Sequence, residues 1–326
     1  LGSAETPDLA EVRGQDEAKR ALVVAAAGGH GLLFRGAPGA GKTLLARCLP
    51  SVLPPLARSE ALEVARIHAA AGLDPARVAA RRERPFRAPH HSASRAGLLG
   101  GGRQLGPGEV TLAHRGVLFL DELPEFDRHS LESLRQVLEE GRVVHARAEQ
   151  RVVLPADLQL LAAANPCVCG YFGSGVRDCR CDDGALARYE RRLSGPLLDR
   201  IDLHVPVRPV RFADLDLAGA PTPESAALRQ EVLRARELQT RRLTALGLPD
   251  GMRRNARIPP GFLFEATRPT REARQILARA VDQLALSARA AHRLLRVART
   301  IADLDGDAEI PSAAMAEAVS YRREGG

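Results

Sequence analysis

The sequence has almost no lysine and no long, uninterrupted apolar stretch. Only Lys19 and Lys42 are lysines, so nearly all of the 47 basic residues are arginines. A GC-rich coding bias would explain this arginine content, so the net charge of +7 permits a polyanionic partner without requiring one. The longest uncharged stretch, residues 158–176, contains glutamine, asparagine, proline and three glycines, so we expect no membrane-spanning segment.

Several other classes of protein are excluded by composition. The 326 residues are 45% hydrophobic and 27% charged, which excludes a disordered tail, a collagen-like rod and a small disulfide scaffold. A chain of this length suffices for roughly two domains. It begins at Leu1 without a basic and then apolar leader, so we expect a cytoplasmic protein that is a fragment of a longer one.

The pattern of apolar residues changes once along the chain. Residues 1–208 alternate short apolar runs with helical patterns, which predicts an α/β base domain. Its first predicted helix after a strand begins at Thr43 and is expected to end at Pro50. A proline-containing linker is predicted at 209–223, followed by a smaller, all-helical domain at 224–326. The strands are expected at 31–36, 116–120, 158–164 and 201–207, and the later helices at 224–246, 270–284, 287–304 and 311–322.

A phosphate-binding loop follows the first predicted strand. The motif G-x-x-x-x-G-K-[ST] is met by Gly36, Ala37, Pro38, Gly39, Ala40, Gly41, Lys42 and Thr43. Its glycines let successive N–H groups face phosphate oxygens, and the following helix directs its positive end at the same anion. We expect Lys42 to contact the β and γ phosphates of ATP and Thr43 to ligate Mg²⁺. A chance glycine turn is the alternative, but the flanking strand and helix favour a nucleotide site.

Polar residues end two further predicted strands. Asp121 and Glu122 follow four apolar residues, which is typical of the Walker B motif. Asp121 is then expected to join the Mg²⁺ shell, and Glu122 to polarise the water that attacks the γ-phosphate. Asn165 ends the next strand, where it can lie between these carboxylates and the γ-phosphate. The alternatives are an ordinary strand end and a simple Asn-Pro turn.

Four of the five cysteines lie within fifteen residues of one another. Cys167, Cys169, Cys179 and Cys181 form two C-x-C pairs, and four thiolates suit tetrahedral Zn²⁺. One-residue spacers are less common in zinc sites than two-residue spacers, so reduced cysteines and a redox-sensitive disulfide stay as alternatives. We expect a structural zinc to hold the loop between Asn165 and the segment near residue 200.

Longer stretches of the sequence resemble the magnesium-chelatase-like ComM/YifB family of AAA+ ATPases. The resemblance covers residues 7–322. Family members carry an additional N-terminal domain, similar to a Lon-protease domain, which we expect this sequence to lack. The matching stretches are Arg-Pro-Phe-Arg-Ala-Pro-His-His-Ser at 84–92, Asn-Pro-Cys-Val-Cys-Gly at 165–170, Ser-Gly-Pro-Leu-Leu-Asp-Arg-Ile-Asp at 194–202 and Leu-Ser-Ala-Arg at 286–289.

The resemblance implies an AAA+ base domain with a helical lid, assembled as a hexameric ring that uses ATP to act on DNA. The expected activity is similar to that of a branch-migration helicase in natural transformation and recombination. Arg200 resembles an arginine finger that reaches the neighbouring subunit's γ-phosphate. Arg289 resembles the sensor-2 arginine, with Arg293 as its rival. The alternative for Arg200 is a helix-end arginine paired with Asp199 or Asp202. The alternative for Arg289 and Arg293 is a solvated helix face.

The resemblance also implies contacts with adenine and with DNA. Gln15 belongs to a segment that packs near adenine in the family. A hairpin at 143–154 corresponds to one that points into the ring pore, and an exposed edge hairpin is the alternative. The segment 85–102 resembles an insertion that forms a second pore loop. Neighbouring side chains point in different directions, so we expect no metal at its two adjacent histidines. The expected DNA contacts, made to phosphates without reading sequence, are Arg142, Arg147 and Arg151.

Three classes of function remain to be distinguished. The first is a DNA motor acting on single-stranded or branched DNA. The second is a chelatase-type ATPase that remodels a protein partner during metal insertion. It stays open because the ATP site does not determine the molecule on which the ATPase acts. The third, a nucleotide switch without hydrolysis, is disfavoured because Glu122, Asn165, Arg200 and Arg289 occur together.

Overall fold

The centre of the base domain is a parallel sheet of five strands. A computed structural model describes residues 6–101, 106–147, 150–193, 197–210 and 222–323. The strands of the sheet are β1 Leu32–Arg35, β2 Phe86–Arg87, β5 Val117–Leu120, β8 Gln159–Ala164 and β9 Leu203–Pro206. Their spatial order is β2-β5-β8-β1-β9, so β1 lies between β8 and β9. All neighbours are parallel, and the central strands are buried because helices cover both faces.

Eight helices of the described chain belong to the base domain. They are α1 Asp16–Gly28, α2 Lys42–Val52, α3 Arg58–Ala70, α4 Ala76–Arg81, α5 Arg95–Leu99, α6 Glu109–Leu112, α7 Arg128–Glu140 and α8 Asp183–Leu193. The predicted end of α2 at Pro50 is wrong, because the helix continues through this proline to Val52. Pro50 lies in the last turn, where Leu53 still donates its N–H to the Leu49 carbonyl at 3.2 Å.

Two small hairpins extend from the base domain. The first pairs β3 Gly100–Gly101 with β4 Gly106–Pro107. The second pairs β6 Arg142–Arg147 with β7 Gln150–Pro155, which is the hairpin that the sequence predicts, and its tip at 148–149 lies outside the described residues. The His145 ring nitrogen lies 3.2 Å from the Leu99 carbonyl oxygen, so the two hairpins lie side by side.

The C-terminal part of the chain is helical, as expected. It consists of α9 Ser225–Ala245, α10 Leu263–Thr267, α11 Arg271–Gln283, α12 Ala288–Asp305 and α13 Ser312–Arg323. The four longer helices correspond to the four predicted ones. Thr270 and Ser287 accept hydrogen bonds from N–H groups of the first turns of α11 and α12, which explains where both helices begin. Residues 211–221 of the predicted linker lie outside the described chain.

The helical domain packs firmly against the base domain. Leu22 and Phe34 of the base share one buried apolar cluster with Val232 and Leu294 of the helical domain. A polar link adds to it at Asp157, which accepts hydrogen bonds from Arg254 at 2.7 Å, Arg257 at 2.9 Å and Arg115 at 3.0 Å. Burial raises the pKa of Asp157, but these three arginines outweigh burial and lower it overall. Within the described ranges, no helix is long and apolar enough to cross a bilayer.

Candidate active site

The phosphate-binding loop lies between the end of β1 and the start of α2. Gly36 donates its N–H to the Ala164 carbonyl at 3.2 Å, and a Cβ on Gly36 would lie only 2.2 Å from the Val207 carbonyl oxygen. Gly39 and Gly41 have φ values of 77° and 94°. Side chains are disfavoured in this left-handed region, so glycine at these positions permits the curled loop that the motif predicts.

Lys42 lies under this loop, with its ammonium group at the centre of the site. Its Nζ donates to the carbonyls of Gly36 at 2.7 Å and Ala37 at 2.9 Å, and to Asn165 Oδ1 at 3.0 Å. Burial lowers the pKa of Lys42, although the charges of Asp121 and Glu122 oppose that shift. A cation already removed from bulk water and adjacent to the curled loop is well placed to meet a phosphate.

Two oxygen ligands suited to Mg²⁺ are adjacent at the same edge of the sheet. Thr43 donates its hydroxyl to Asp121 Oδ2 at 2.8 Å, and Asp121 Oδ1 accepts the Glu122 N–H at 3.0 Å. Hydroxyl and carboxylate oxygens are the ligands that Mg²⁺ prefers. The donor set therefore fits a magnesium ion that accompanies the nucleotide.

Glu122 has an unusual backbone conformation for its residue type. Its φ is 52° and its ψ 47°, which lies in the left-handed region, and strain of this kind is concentrated at functional sites. The side chain is 54% exposed, and its Oε2 lies 3.2 Å from His91 Nδ1. The structure thus brings Lys42, Asp121, Glu122 and Asn165 together at the carboxyl ends of β5 and β8, as the sequence predicts.

Gln15 lies at the start of α1 and connects it to the end of β9. Its side-chain amide donates to the Arg208 carbonyl, and its own φ is 61°. This hydrogen bond brings the N-terminal segment next to the chain that follows β9. The contact with adenine that the resemblance implies for Gln15 stays a prediction.

A second group of charged residues surrounds Arg200, beyond the end of α8. Burial lowers the pKa of Arg200, and the positive charges of Arg289, Arg135 and Arg293 lower it further. Arg200 pairs with Glu139 on α7, which also lies 3.4 Å from Arg135. Asp202, one of the two aspartates that the sequence offers as a partner for Arg200, is engaged elsewhere, with its Oδ2 2.9 Å from His30 Nδ1.

The two sensor-2 candidates differ in exposure. Arg289 is exposed at the start of α12, whereas Arg293 is 5% exposed. Both are close enough to Arg200 to affect its pKa, whereas the charges that affect the Lys42 pKa are those of Asp121 and Glu122. Arg289 and Arg293 therefore lie in the same charged cluster as Arg200, the candidate arginine finger.

The four clustered cysteines meet in the loop between β8 and α8. Their sulfur atoms all lie within 4.8 Å of one another, and no other such group of ligands occurs among the described residues. Cys167 Sγ lies 3.3 Å from Cys169 Sγ and 3.7 Å from Cys179 Sγ. Sulfur atoms around a tetrahedral zinc are separated by about 3.8 Å, given a Zn–S bond of about 2.3 Å. The quartet therefore fits a zinc ion.

Neighbouring N–H groups and thiols shift the pKa values of the quartet in opposite directions. The N–H groups of Arg180 and Tyr171 lower the pKa of Cys169 to about 6. The Cys181 N–H lowers the pKa of Cys179, but burial and the neighbouring thiols outweigh it and raise that pKa to about 12. Several thiolates cannot coexist at such short range unless a metal ion neutralises them.

The cysteine loop packs directly on the phosphate-binding loop. A Cβ on Gly170 would lie 2.7 Å from Pro38 Cδ, so only glycine permits this approach. Tyr189 of α8 donates its hydroxyl to the Asn165 carbonyl at 2.8 Å, and Arg35 donates to the Pro166 carbonyl at 3.2 Å. The conformation of the quartet is thus coupled to the nucleotide loop.

The predicted DNA contacts lie on the hairpin of β6 and β7. Arg142 is exposed and donates to Glu140 at 3.2 Å, and Arg151 is exposed on the opposite strand. Arg147 is the last residue of β6, and its side chain lies outside what the structure describes.

Two residues of the site could not be anticipated from the sequence. They are His91, which contacts Glu122, and Glu139, which pairs with Arg200. The rings of His90 and His91 have centroids 4.1 Å apart, so the expectation that they point in different directions is wrong. Ser92 Oγ lies 2.8 Å from His90 Nδ1 and holds this ring where it stacks against His91.

The fold and the site define an ATPase of the AAA+ class, with a P-loop, adjacent oxygen atoms suited to Mg²⁺ and a helical C-terminal domain. Residues 8–215 match the family of magnesium chelatase subunit ChlI, and residues 222–322 match the C-terminal domain of the same subunit. The chain therefore belongs to the magnesium chelatase family of AAA+ ATPases, within its ComM/YifB group.

Two bacterial relatives are similar along almost the whole chain. The competence protein ComM of Haemophilus influenzae is 43% identical over 317 residues, which cover 97% of this chain and 60% of that protein. The YifB protein of Escherichia coli is 43% identical over the same share of both chains. The chain thus spans about three fifths of the length of these relatives. The maternal DNA replication licensing factor mcm3 of Xenopus laevis is 33% identical over 104 residues, 31% of this chain and 13% of that protein.

Proposed function

We propose that this chain is a subunit of a ring-shaped motor that hydrolyses ATP and acts on DNA, as a branch-migration helicase does in natural transformation and recombination. The proposed action on DNA rests on the two adjacent hairpins, β3–β4 and β6–β7. The second hairpin has exposed arginines. Two relatives, named as a competence protein and as a DNA replication licensing factor, also support an action on DNA.

In the proposed reaction, each residue of the site has one role. Lys42 and the curled loop bind the phosphates, and Thr43 and Asp121 hold the Mg²⁺ that offsets their charge. Glu122 takes a proton from the attacking water, and Asn165 orients that water against the γ-phosphate. The 3.0 Å hydrogen bond between Lys42 and Asn165 supports this arrangement, because it joins the phosphate-binding group to the water-orienting one.

The arginine cluster supports a ring in which neighbouring subunits complete each site. The charge of Arg289 affects the pKa of Arg200, whereas the charges that affect the pKa of Lys42 are those of two carboxylates. Two arginines grouped apart from their own phosphate loop are suited to a neighbour's γ-phosphate. Arg289 is exposed and Arg293 buried, so we assign the sensor-2 role to Arg289. Closed rings follow from such head-to-tail contacts, and a hexamer is the expected size.

A chelatase-type ATPase that remodels a protein partner is the second candidate. The match to magnesium chelatase subunit ChlI favours it, because the same ATPase domain can act on a protein partner instead of DNA. The two candidates differ in whether DNA alters ATP turnover.

The DNA proposal predicts that turnover is stimulated by DNA and that the hairpin arginines carry part of this effect. Arg151→Ala and Arg147→Ala should each lower the DNA-stimulated rate more than the basal rate. The salt dependence of DNA binding should also become shallower, by about one unit of slope for each arginine that no longer meets a phosphate. The measurement is ATP hydrolysis with and without single-stranded and branched DNA over a range of salt concentrations.

The matched control for these variants is Arg241→Ala. Arg241 is 78% exposed on α9 and lies 3.8 Å from Glu237, so its removal takes away one positive charge from a different surface. It should leave stimulation by DNA unchanged. Equal falls in the basal and stimulated rates of the hairpin variants would show that the hairpin does not touch DNA. A wild-type rate unaffected by any DNA at low salt would favour the chelatase-type function instead.

The zinc proposal predicts about one zinc ion per chain, measured by elemental analysis of the purified protein. Replacing Cys169 and Cys181 together with serine should abolish zinc content, because two ligands do not retain the ion. ATP turnover should fall as well, because the loop packs on Pro38 through Gly170. Cys48→Ala is the control, since this thiol lies buried in α2 away from the quartet and should leave zinc content unchanged. Zinc removal that leaves turnover and assembly intact would refute the coupling.

A further inference from the structure

The pair His91 and Glu122 joins the nucleotide site to a distant segment of the chain. His91 follows β2 on the segment that leads to α5, whereas Glu122 follows β5. His91 Nδ1 lies 3.2 Å from Glu122 Oε2, so a protonated imidazole forms an ion pair with this carboxylate. The roles proposed for the other residues of the site give His91 no part in ATP hydrolysis.

His91 is itself held on two sides. Its ring meets Phe126 edge-on, with centroids 6.5 Å apart and an interplanar angle of 80°. Phe126 is 6% exposed and ends the short turn that begins at Glu122. On the other side, His91 stacks against His90, which is fixed by Ser92. The imidazole therefore has a defined position relative to the turn that carries Glu122.

Glu122 needs such a partner, because its own environment does not fix its carboxylate. The side chain is 54% exposed and has several rotatable bonds, whereas its backbone is held in a left-handed conformation. A catalytic base loses efficiency when its carboxylate samples many positions. The charge of Glu122 still affects the pKa of Lys42, so the position that His91 fixes is within electrostatic reach of the phosphate-binding group.

We propose that His91 is a positioning residue that holds the Glu122 carboxylate in its working orientation for ATP hydrolysis. This inference rests on the proposed role of Glu122 as the base. His91→Ala should lower kcat by about tenfold or more and leave the KM for ATP unchanged, because the imidazole orients the base without binding the nucleotide.

A conservative variant and a control separate positioning from general damage. His91→Asn retains a side-chain N–H close to the position of Nδ1 and should restore most of the wild-type kcat. His129→Ala is the control, because it removes an exposed imidazole of α7, and it should retain a kcat close to that of the wild type.

The decisive measurement is a double-mutant cycle with Glu122→Gln, using steady-state and single-turnover ATP hydrolysis. If His91 acts through Glu122, His91→Ala should cause no further loss in the Glu122→Gln background. An unchanged or raised kcat in His91→Ala, failure of His91→Asn to restore it, or a loss that persists in the Glu122→Gln background would overturn the inference. Near-normal hydrolysis by Glu122→Gln alone would instead refute the proposed function of Glu122.

Discussion

Replacing Arg200 with alanine should reduce ATP turnover by about a thousandfold while leaving ATP binding nearly unchanged. An arginine supplied by a neighbour neutralises charge that develops on the γ-phosphate in the transition state, so its loss affects kcat and not affinity. In this chain, Arg200 pairs with Glu139 and is surrounded by other arginines, which supports a role outside its own phosphate loop. Turnover and the affinity for a fluorescent ATP analogue measure the two quantities separately.

Arg135→Ala is the matched control for this variant. Arg135 lies in the same cluster and contacts Glu139 and Glu132, so its replacement removes one nearby positive charge without removing the finger. We expect a much smaller decrease in turnover. A decrease as large as that of Arg200→Ala would mean that the charge of the whole cluster matters and that no single finger exists.

Mixing Arg200→Ala with Lys42→Ala protein gives a direct test of sites shared between subunits. Each variant alone should be inactive, because one lacks the finger and the other the phosphate-binding cation. In a random mixture, about a quarter of the interfaces combine an intact Lys42 with an intact Arg200 from the neighbour, so partial activity should return. A mixture as inactive as its components, in rings that do form, would contradict completion by a neighbour.

Replacing Glu122 with glutamine should lower hydrolysis at least about a hundredfold and leave ATP bound. Glutamine preserves the size and the hydrogen-bonding reach of the side chain but cannot take a proton from water. The Thr43–Asp121 hydrogen bond that organises the Mg²⁺ ligands does not involve the Glu122 side chain, so nucleotide binding should survive. Bound ATP that persists without conversion to ADP, measured by chromatography of the extracted nucleotide, checks the expectation.

Lys42→Ala serves as the contrasting variant. It removes the ammonium that contacts both the loop and Asn165, so nucleotide binding itself should weaken. If Glu122→Gln and Lys42→Ala reduced affinity to the same degree, Glu122 would be a binding residue and not the base. If both hydrolysed ATP at the wild-type rate, the site would lie elsewhere.

The parts of the site that depend on local sequence could be predicted. The order of residues in the phosphate loop determines its glycine conformations, and an apolar strand that ends in Asp121 and Glu122 places these carboxylates at the sheet edge. The helices of the C-terminal domain were predictable for the same reason, since each buries an apolar stripe with helical spacing. Pro50 misled the prediction because it removes only one N–H donor, while Leu53 still bonds the Leu49 carbonyl and the helix continues to Val52.

Contacts between distant segments could not be predicted. Glu139 pairs with Arg200, and Gly170 packs on Pro38, only because the sheet and the cysteine loop bring separate segments together. The contact of His91 with Glu122 likewise depends on a loop returning past the end of β5. No pattern of spacing in a single sequence predicts such pairs, because the number of residues between the two partners is not fixed.

ATP turnover per subunit, measured over a range of protein concentrations together with the mass of the particle in ATP, tests the central claim most directly. If a neighbour's arginine completes each nucleotide site, turnover should appear only at concentrations where rings form, and the two curves should rise together. A monomer that hydrolyses ATP at the full rate, independent of concentration, would contradict it.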